Sequence, residues 1–362
     1  MSVNVSYKKQ SAFGIFFILI LLFSIELSLR TYEYITISCG IFENEVFKNL
    51  NYLKIKNICY DGNTLTHGDS PFYQMIPNQY KFTMNINSDG FRGSEISLSD
   101  TNNYKIFLTG GSTTFGFGST SDHTTIPGYL QSYFDEKHPE KNIEIINAGI
   151  ISADSYREIL LIKEKILQYN PNMVISYTGV NDSGGYSKEI ILDEINNTGE
   201  SQTFQFKNYP GYRTPFVIYN LFNNYDDERD ISSKNVSSEN FEKLSESFRN
   251  NWLQSCDLLM ENKITSVLIL QPSLTTKNTM SNYEKTYSGD PDSRKYILEN
   301  YANQLKSLEI NCDHTFDFRN VMDNIPTTIY FDNVHMSDEG NKIVAQKIYE
   351  KILPIILKDI LN

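Results

Sequence analysis

The chain contains little cysteine and few positive charges relative to negative ones, and both shortages exclude classes of function. Four cysteines among 362 residues are too few for a disulfide-stapled fold, and none belongs to a CxxC pair typical of a zinc cluster. The 32 basic residues are outnumbered by 44 acidic ones, which gives a formal net charge of −12. This balance argues against a nucleic-acid partner but leaves a small anionic ligand open. Nothing indicates a metal or another cofactor.

One long apolar run stands near the start of the chain. Residues 12–25 read AFGIFFILILLFSI, with Lys8 and Lys9 before them and Glu26 directly after them. Extended to Leu29, the run approaches the ~20 residues that a membrane-spanning helix needs. The length and the flanking charges indicate a segment that inserts into a membrane.

Three interpretations of this run compete. A cleaved signal peptide lacks its small-residue cleavage site, because the following sequence ELSLRTYEYI is bulky. A buried core helix does not suit a segment that is apolar on all faces at the N-terminus. An uncleaved signal anchor over residues 1–30 fits best. It predicts a single-pass membrane protein with Lys8 and Lys9 in the cytoplasm and the rest of the chain on the extracytoplasmic side.

The expected state of the cysteines depends on the compartment and on their position in the fold. In an oxidising environment Cys39 and Cys59 can pair. Cys256 falls within a predicted helix, and we expect it to be a buried thiol.

The rest of the chain divides by its hydrophobic pattern. Residues 31–103 are irregular and form a predicted stalk and preface, whereas strands and helices alternate through residues 104–362, apart from an insertion at 183–238 rich in Tyr, Phe and Asn. The predicted strands are 105–111, 143–149, 173–179, 266–273 and 312–318, and the predicted helices are 125–137, 155–169, 239–262, 293–308 and one from about 337. This alternation predicts a three-layer α/β/α domain with a central parallel sheet.

Polar residues and glycines follow four of the predicted strands. They are Ser112, Gly149, Asn181 with Asp182, and Asp332 with His335. Because ligands gather at the carboxyl ends of parallel strands, we expect these residues to converge on one edge of the sheet. Each residue alone is more often a turn, a cap or a surface group, so the prediction depends on their conjunction.

The sequences around these residues resemble the four blocks of the SGNH hydrolases, a branch of the GDSL esterase/lipase superfamily. The blocks are GGST around Ser112, NAG at Gly149, GVND at 179–182 and DNVH at 332–335, and the similarity covers about residues 104–355. The resemblance implies a flavodoxin-like fold, here of the membrane-anchored bacterial type. Two departures are mild: GGST replaces GDS, and Ser152 stands where many relatives have a second glycine. We expect Ser152 to alter the loop but not the oxyanion donor.

The residue types assign the roles. Ser112 is the candidate nucleophile, His335 the base that activates it, and Asp332 the group that holds the imidazole. The amides of Ser112 and Gly149 and the side chain of Asn181 are the predicted oxyanion hole. The chain lacks a GxSxG elbow, and an Asp only three residues before the His is unlike an α/β-hydrolase.

Three further residues are candidates for supporting roles. Asp182 is expected to brace a loop or start a helix. Arg92 and Tyr177 either face substrate or pack in the interior.

Four functions are compatible with these motifs. The first is a serine esterase that removes a small acyl group, acetyl foremost, from a carbohydrate or glycoconjugate. The second is an O-acyltransferase that uses the same triad on an exported polysaccharide. The third is a lipid esterase. The fourth is a non-catalytic carbohydrate-binding protein, and the intact set of four sequence blocks argues against this last function. Aromatic rings of the insertion either stack on sugar above Ser112 or pack the insertion onto the sheet; they are Tyr186, Phe204, Phe206, Tyr209, Tyr212 and Phe216.

Overall fold

The computed structural model describes most of the chain and divides it into two compact units. The described residues are 6–37, 39–41, 43–68, 74–97, 103–184, 214, 238–287 and 291–361. The first unit comprises Met1–Cys39 and Gln202–Asp230, and the second comprises Gly40–Ser201 and Ile231–Asn362.

The first unit contains helix α1, Tyr7–Thr36, whose apolar side chains are almost all exposed. By length and composition α1 can cross a membrane, although a signal sequence has the same properties. Glu26 is the buried exception on this helix. Its carboxylate accepts hydrogen bonds from Arg30 Nε at 2.7 Å and from the backbone nitrogen of Thr214 at 2.8 Å. The helix thus makes a polar contact with a residue 188 positions away in the sequence.

The second unit is built on a five-stranded parallel sheet. A short antiparallel hairpin comes first, with strands β1, Gln79–Tyr80, and β2, Asn85–Ile86. The sheet strands are β3, Tyr104–Gly110; β4, Ile143–Gly149; β5, Met173–Thr178; β6, Thr265–Leu270; and β7, His314–Asp317. Their order is β4-β3-β5-β6-β7, and all neighbours are parallel. The predicted α/β fold with a central parallel sheet is confirmed.

Helices cover both faces of this sheet. The described helices of the second unit are α2, Tyr52–Thr64; α3, Ser112–Phe115; α4, Ile126–Lys137; α5, Ser155–Glu164; α6, Ser238–Glu261; α7, Glu284–Tyr287; α8, Pro291–Leu308; and α9, Asp338–Leu361. Side chains alternate across each strand, so Ile106 of β3 packs with α4 and α9 while Phe107 packs on the face that carries α5. Helices α6 and α8 pack against each other beside β6. The arrangement has three layers.

The expectation that Cys256 is a free thiol is wrong. Cys256 of α6 forms a disulfide with Cys312, which lies just before β7, and the two Cα atoms are 5.0 Å apart. Both residues are buried where α6 and α8 pack together, which brings them within bonding distance. The bond spans 56 residues, and closing a loop of this length stabilises a fold by about 4 kcal/mol.

Candidate active site

Ser112, His335 and Asp332 form a continuous hydrogen-bonded chain at the carboxyl edge of the sheet. Ser112 Oγ lies 2.7 Å from His335 Nε2, and His335 Nδ1 lies 2.6 Å from Asp332 Oδ2. These distances place a hydroxyl, an imidazole and a carboxylate within direct proton-transfer reach. The geometry is that of a nucleophile, its base and the group that orients the base.

The segment Asp332–His335 is held in shape by its own first residue. Asp332 Oδ1 accepts hydrogen bonds from the backbone nitrogens of Val334, at 2.8 Å, and His335, at 2.6 Å. The other carboxylate oxygen remains for the imidazole. Burial alone would raise the pKa of Asp332, but the hydrogen bonds and the charge of His335 outweigh it and lower the pKa. The carboxylate therefore stays ionised beside the imidazole.

Ser112 begins the short helix α3 directly after β3. A Cβ on the preceding residue, Gly111, would lie 2.3 Å from Asn181 Nδ2, so this position needs glycine for the two segments to approach. Arg92 holds the other end of α3: its Nη1 donates to the carbonyls of Phe115, at 3.1 Å, and Gly116, at 2.7 Å. The preface thus fixes the helix that carries Ser112.

Arg92 and Tyr177 do not face substrate. The Arg92 side chain is fully buried and also donates from Nε to Asp122 Oδ1 at 2.8 Å. Tyr177 lies on β5 and is completely buried in the core. The aromatic residues of the insertion for which sugar stacking was predicted lie outside the described residues.

The backbone nitrogen of Gly149, a predicted oxyanion donor, has a partner within β4. It donates to Asn147 Oδ1 at 3.1 Å, so this N–H already has an acceptor. A Cβ on Gly149 would lie 2.2 Å from the backbone nitrogen of Phe115, which explains why glycine stands here. Gly149 is a close-packing residue under α3, and its amide is not positioned as a free donor.

Ser152 offers the amide that Gly149 does not. Its φ of 63° lies in the left-handed region that favours glycine. Among the described residues its N–H has no hydrogen-bond acceptor. The next carbonyl, of Ala153, accepts from Asn181 Nδ2 at 2.7 Å, which places the Ser152 turn beside the Asn181 amide. The amides of Ser112 and Ser152 and the Asn181 side chain are therefore the candidate oxyanion donors. The sequence did contain a signal for this role, because Ser152 stands where many relatives have a second glycine.

Asp182 holds the start of α5, which follows the Ser152 turn. Its carboxylate accepts from the Ser155 hydroxyl at 2.5 Å and from the Ser155 backbone nitrogen at 3.2 Å. Burial, with a smaller contribution from the charge of Asp154, raises the pKa of Asp182 to about 7. Asp182 is a bracing residue that changes charge near neutral pH.

The raised pKa predicts a pH dependence of stability. An unfolded aspartate has its pKa near 3.8, so between this value and about 7 the folded state holds a proton that the unfolded state releases. Stability attributable to Asp182 therefore falls as pH rises through this window. We expect Asp182→Asn to flatten the fall in unfolding free energy between pH 4 and 7, measured by urea denaturation. An unchanged slope would show that Asp182 does not titrate there.

Two aromatic rings flank the imidazole. The Phe331 ring is stacked on His335 at a centroid distance of 5.6 Å, and the Phe117 ring lies 5.2 Å away. Phe117 is partly exposed, whereas Phe331 is buried. The rings limit the positions that His335 can adopt and form an apolar wall beside Ser112.

A buried ion pair that the sequence did not suggest supports the His335 segment. Lys277 Nζ lies 2.6 Å from Glu284 Oε2, and neither side chain is exposed. Glu284 Oε1 accepts from the backbone nitrogens of Ile329, at 2.9 Å, and Tyr330, at 3.1 Å. These residues lead directly into Asp332, so the pair fixes the start of the loop that carries two of the three proposed catalytic side chains.

The fold and the site together define a hydrolase of ester bonds. The chain belongs to the GDSL-like lipase/acylhydrolase family, whose model matches residues 106–348. The family membership predicted from the four sequence blocks is confirmed. A search of the curated proteins finds no match.

Several solved structures are similar to this chain at low identity. The acetyl xylan esterase AlAXEase is 16% identical, with 68% of this chain and 99% of that chain covered and a TM-score of 0.42. An acetylxylan esterase from Geobacillus stearothermophilus is 14% identical, with coverages of 69% and 94% and a TM-score of 0.44. LAE5, an alpha/beta hydrolase enzyme from the metagenome of Lake Arreo, Spain, is 14% identical, with coverages of 68% and 93% and a TM-score of 0.40.

Proposed function

We propose that the protein removes a small acyl group, acetyl foremost, from a carbohydrate or glycoconjugate through an acyl-Ser112 intermediate. The observation that carries the proposal is the unbroken hydrogen-bonded chain from Ser112 through His335 to Asp332. A serine hydroxyl is a weak nucleophile at neutral pH, and a base at 2.7 Å supplies the activation that it needs.

Acylation proceeds in two steps. Ser112 Oγ attacks the ester carbonyl carbon while its proton moves to His335 Nε2, and Asp332 stabilises the imidazolium that forms. The oxyanion accepts hydrogen bonds from the Ser112 and Ser152 amides and from Asn181 Nδ2, and one such donor is typically worth ~3 kcal/mol. The tetrahedral adduct then breaks its bond to the alcohol oxygen, which takes the proton from Nε2.

Deacylation repeats these steps with water. His335 removes a proton from the water, the water oxygen attacks the acyl carbon, and the proton returns to Ser112 Oγ as the carboxylic acid leaves. A sugar hydroxyl in place of water would make the same enzyme an acyltransferase. The acceptor distinguishes the two outcomes.

The surroundings of Ser112 support a small acyl group and a polar alcohol. Ser112 is only 9% exposed, and the Phe117 ring stands beside its base. Polar groups border the nucleophile, because Asn181 is partly exposed and the Asp332 side chain is 42% exposed. A hydroxyl-rich alcohol suits this rim better than a lipid chain does.

The same proposal places the catalytic unit outside the cytoplasm, with α1 as an uncleaved anchor. The contact of Glu26 with Thr214 supports retention of α1, and the Cys256–Cys312 disulfide supports an oxidising compartment. A reporter active only outside the cytoplasm, fused after residue 362, should give signal. Recovery of the full-length chain in the soluble cytoplasmic fraction would contradict the anchor.

A panel of acyl donors tests the chemistry. The full-length protein in detergent is incubated with acetylated sugars, aryl esters of increasing acyl length and thioesters, with and without an acceptor sugar. We expect acetate release from short-chain esters, a decline as the acyl chain lengthens, and complete dependence on Ser112. Acyl transfer to the acceptor in preference to water would reassign the protein as an acyltransferase. A preference for long acyl chains would make it a lipid esterase.

A further inference from the structure

The first turn of α8 lies at the same edge of the sheet as Ser112. Helix α8 connects β6 to β7, and a helix between two parallel strands begins at their carboxyl edge. It packs there against the turn Asp182–Gly184, which directly follows Asn181. A side chain from this turn of α8 can therefore reach the site.

Arg294 stands on the inward face of that first turn. It precedes Leu298 by four residues and Tyr301 by seven, and both of these are completely buried. The Tyr301 ring lies 3.8 Å from a Cβ placed on Gly179, so this helix face lies against the segment that ends in Asn181. Helical side chains lean toward the N-terminus, which directs Arg294 beyond the core and toward the open edge.

Arg294 is partly buried and has no partner among the described residues. In the described parts of the chain its guanidinium makes neither a hydrogen bond nor an ion pair. Arg92, by contrast, donates hydrogen bonds to Asp122 and to three backbone carbonyls. Burial lowers the pKa of Arg294 and the charge of Asp332 raises it, so the guanidinium lies within electrostatic range of Asp332. A guanidinium remains protonated under such shifts, so its positive charge persists at the site.

We propose that Arg294 binds an oxyanionic group of the substrate, a carboxylate or a phosphate, next to the ester that Ser112 attacks. This inference rests on the proposed esterase function. A guanidinium presents five donors in a fork that matches both oxyanions. In a chain of net charge −12, the Arg294 guanidinium has no acidic partner among the described residues. Asp332 already accepts from His335 and two amides, so Arg294 is not needed to hold it.

Three acetyl esters of matched size test this assignment. They are para-acetoxybenzoate, para-acetoxyphenyl phosphate and the neutral methyl para-acetoxybenzoate. The kcat/KM of each is measured at low ionic strength for the full-length protein, Arg294→Gln, Arg294→Lys and a control, Lys295→Gln. Lys295 is the exposed neighbour, so its variant removes the same charge from the outer face of the helix.

The wild-type protein should prefer at least one anionic ester to the neutral ester by about tenfold or more, since charge-assisted hydrogen bonds are of this strength. Arg294→Gln should lower this preference about tenfold, Arg294→Lys should lower it less, and Lys295→Gln should leave it unchanged. The carboxylate and phosphate arms identify which oxyanion is bound.

Equal rates on charged and neutral esters, or an equal loss on all three in Arg294→Gln, would overturn the assignment. The second result would make Arg294 a structural support. If the wild-type protein cleaved none of the esters, the proposed function would fail and the inference with it.

Discussion

Ser112→Ala should lower kcat for para-nitrophenyl acetate by at least about 10⁴-fold, with little change in stability. The hydroxyl supplies the only nucleophile in the proposed mechanism, so its loss leaves the oxyanion donors without a covalent step. His335→Ala should be nearly as damaging, because Ser112 Oγ would then have no base within reach. Asp332→Ala should cost less, since Phe331 stacks on the imidazole and retains part of its orientation.

Ser132→Ala is the matched control. Its hydroxyl bonds to the Gly128 carbonyl within α4 and takes no part in the site. Steady-state kinetics should show wild-type turnover for this variant, and urea denaturation should show that Ser112→Ala remains folded. Wild-type turnover in Ser112→Ala would remove Ser112 from the mechanism.

Glu284→Gln should lower the free energy of unfolding by about 3–5 kcal/mol, the range for breaking a buried ion pair. The substitution leaves the Lys277 ammonium uncompensated in a site that water does not reach. Burial raises the pKa of Glu284, but the hydrogen bonds from Lys277 and from three backbone amides together lower it, which shows that the native state favours the ionised form. Urea denaturation measures the loss.

A second substitution separates charge from packing. Lys277→Met combined with Glu284→Gln removes both charges, so the pair of changes should be less destabilising than Glu284→Gln alone. Activity should also fall in Glu284→Gln, because the carboxylate fixes the amides of Ile329 and Tyr330 ahead of Asp332. A fully stable and active Glu284→Gln variant would show that the ion pair does not hold the loop.

The sheet and the proposed catalytic chain were predictable because each depends on short stretches of sequence. A buried parallel strand is a continuous apolar run, and β3, β4, β5 and β6 all have this pattern. Ser112 was identifiable as a candidate because it follows the apolar run of β3, whereas His335 was identifiable from the DNVH block at 332–335. Asp332 was identifiable because a carboxylate three residues before a histidine can bind both its backbone and its ring.

The supporting residues were not predictable because their roles depend on contacts between distant segments. Gly149 and Ser152 are three residues apart, and only the hydrogen bond from the Gly149 amide to Asn147 shows which amide is free. Glu284 supports a loop 45 residues further along the chain, and nothing in the residues around it marks it as an ion-pair partner. Cys256 and Cys312 pair because α6 and α8 pack together.

The preface shows the same limit. Its irregular sequence predicted a stalk and a preface to the catalytic domain, and left open whether Arg92 faces substrate or packs in the interior. In the structure Arg92 donates to the carbonyls that end α3. A single arginine in a loop carries no pattern that identifies such a clamp. Its buried position follows from the antiparallel bridge that Arg92 forms with Asn147 of β4.

Peptide mass spectrometry after reaction with a fluorophosphonate probe tests the central claim most directly. The account predicts one covalent adduct, located on Ser112, that disappears in Ser112→Ala and is strongly reduced in His335→Ala, where the serine remains but its base is gone. An adduct on another residue, or a wild-type protein that hydrolyses esters without labelling at Ser112, would contradict the account.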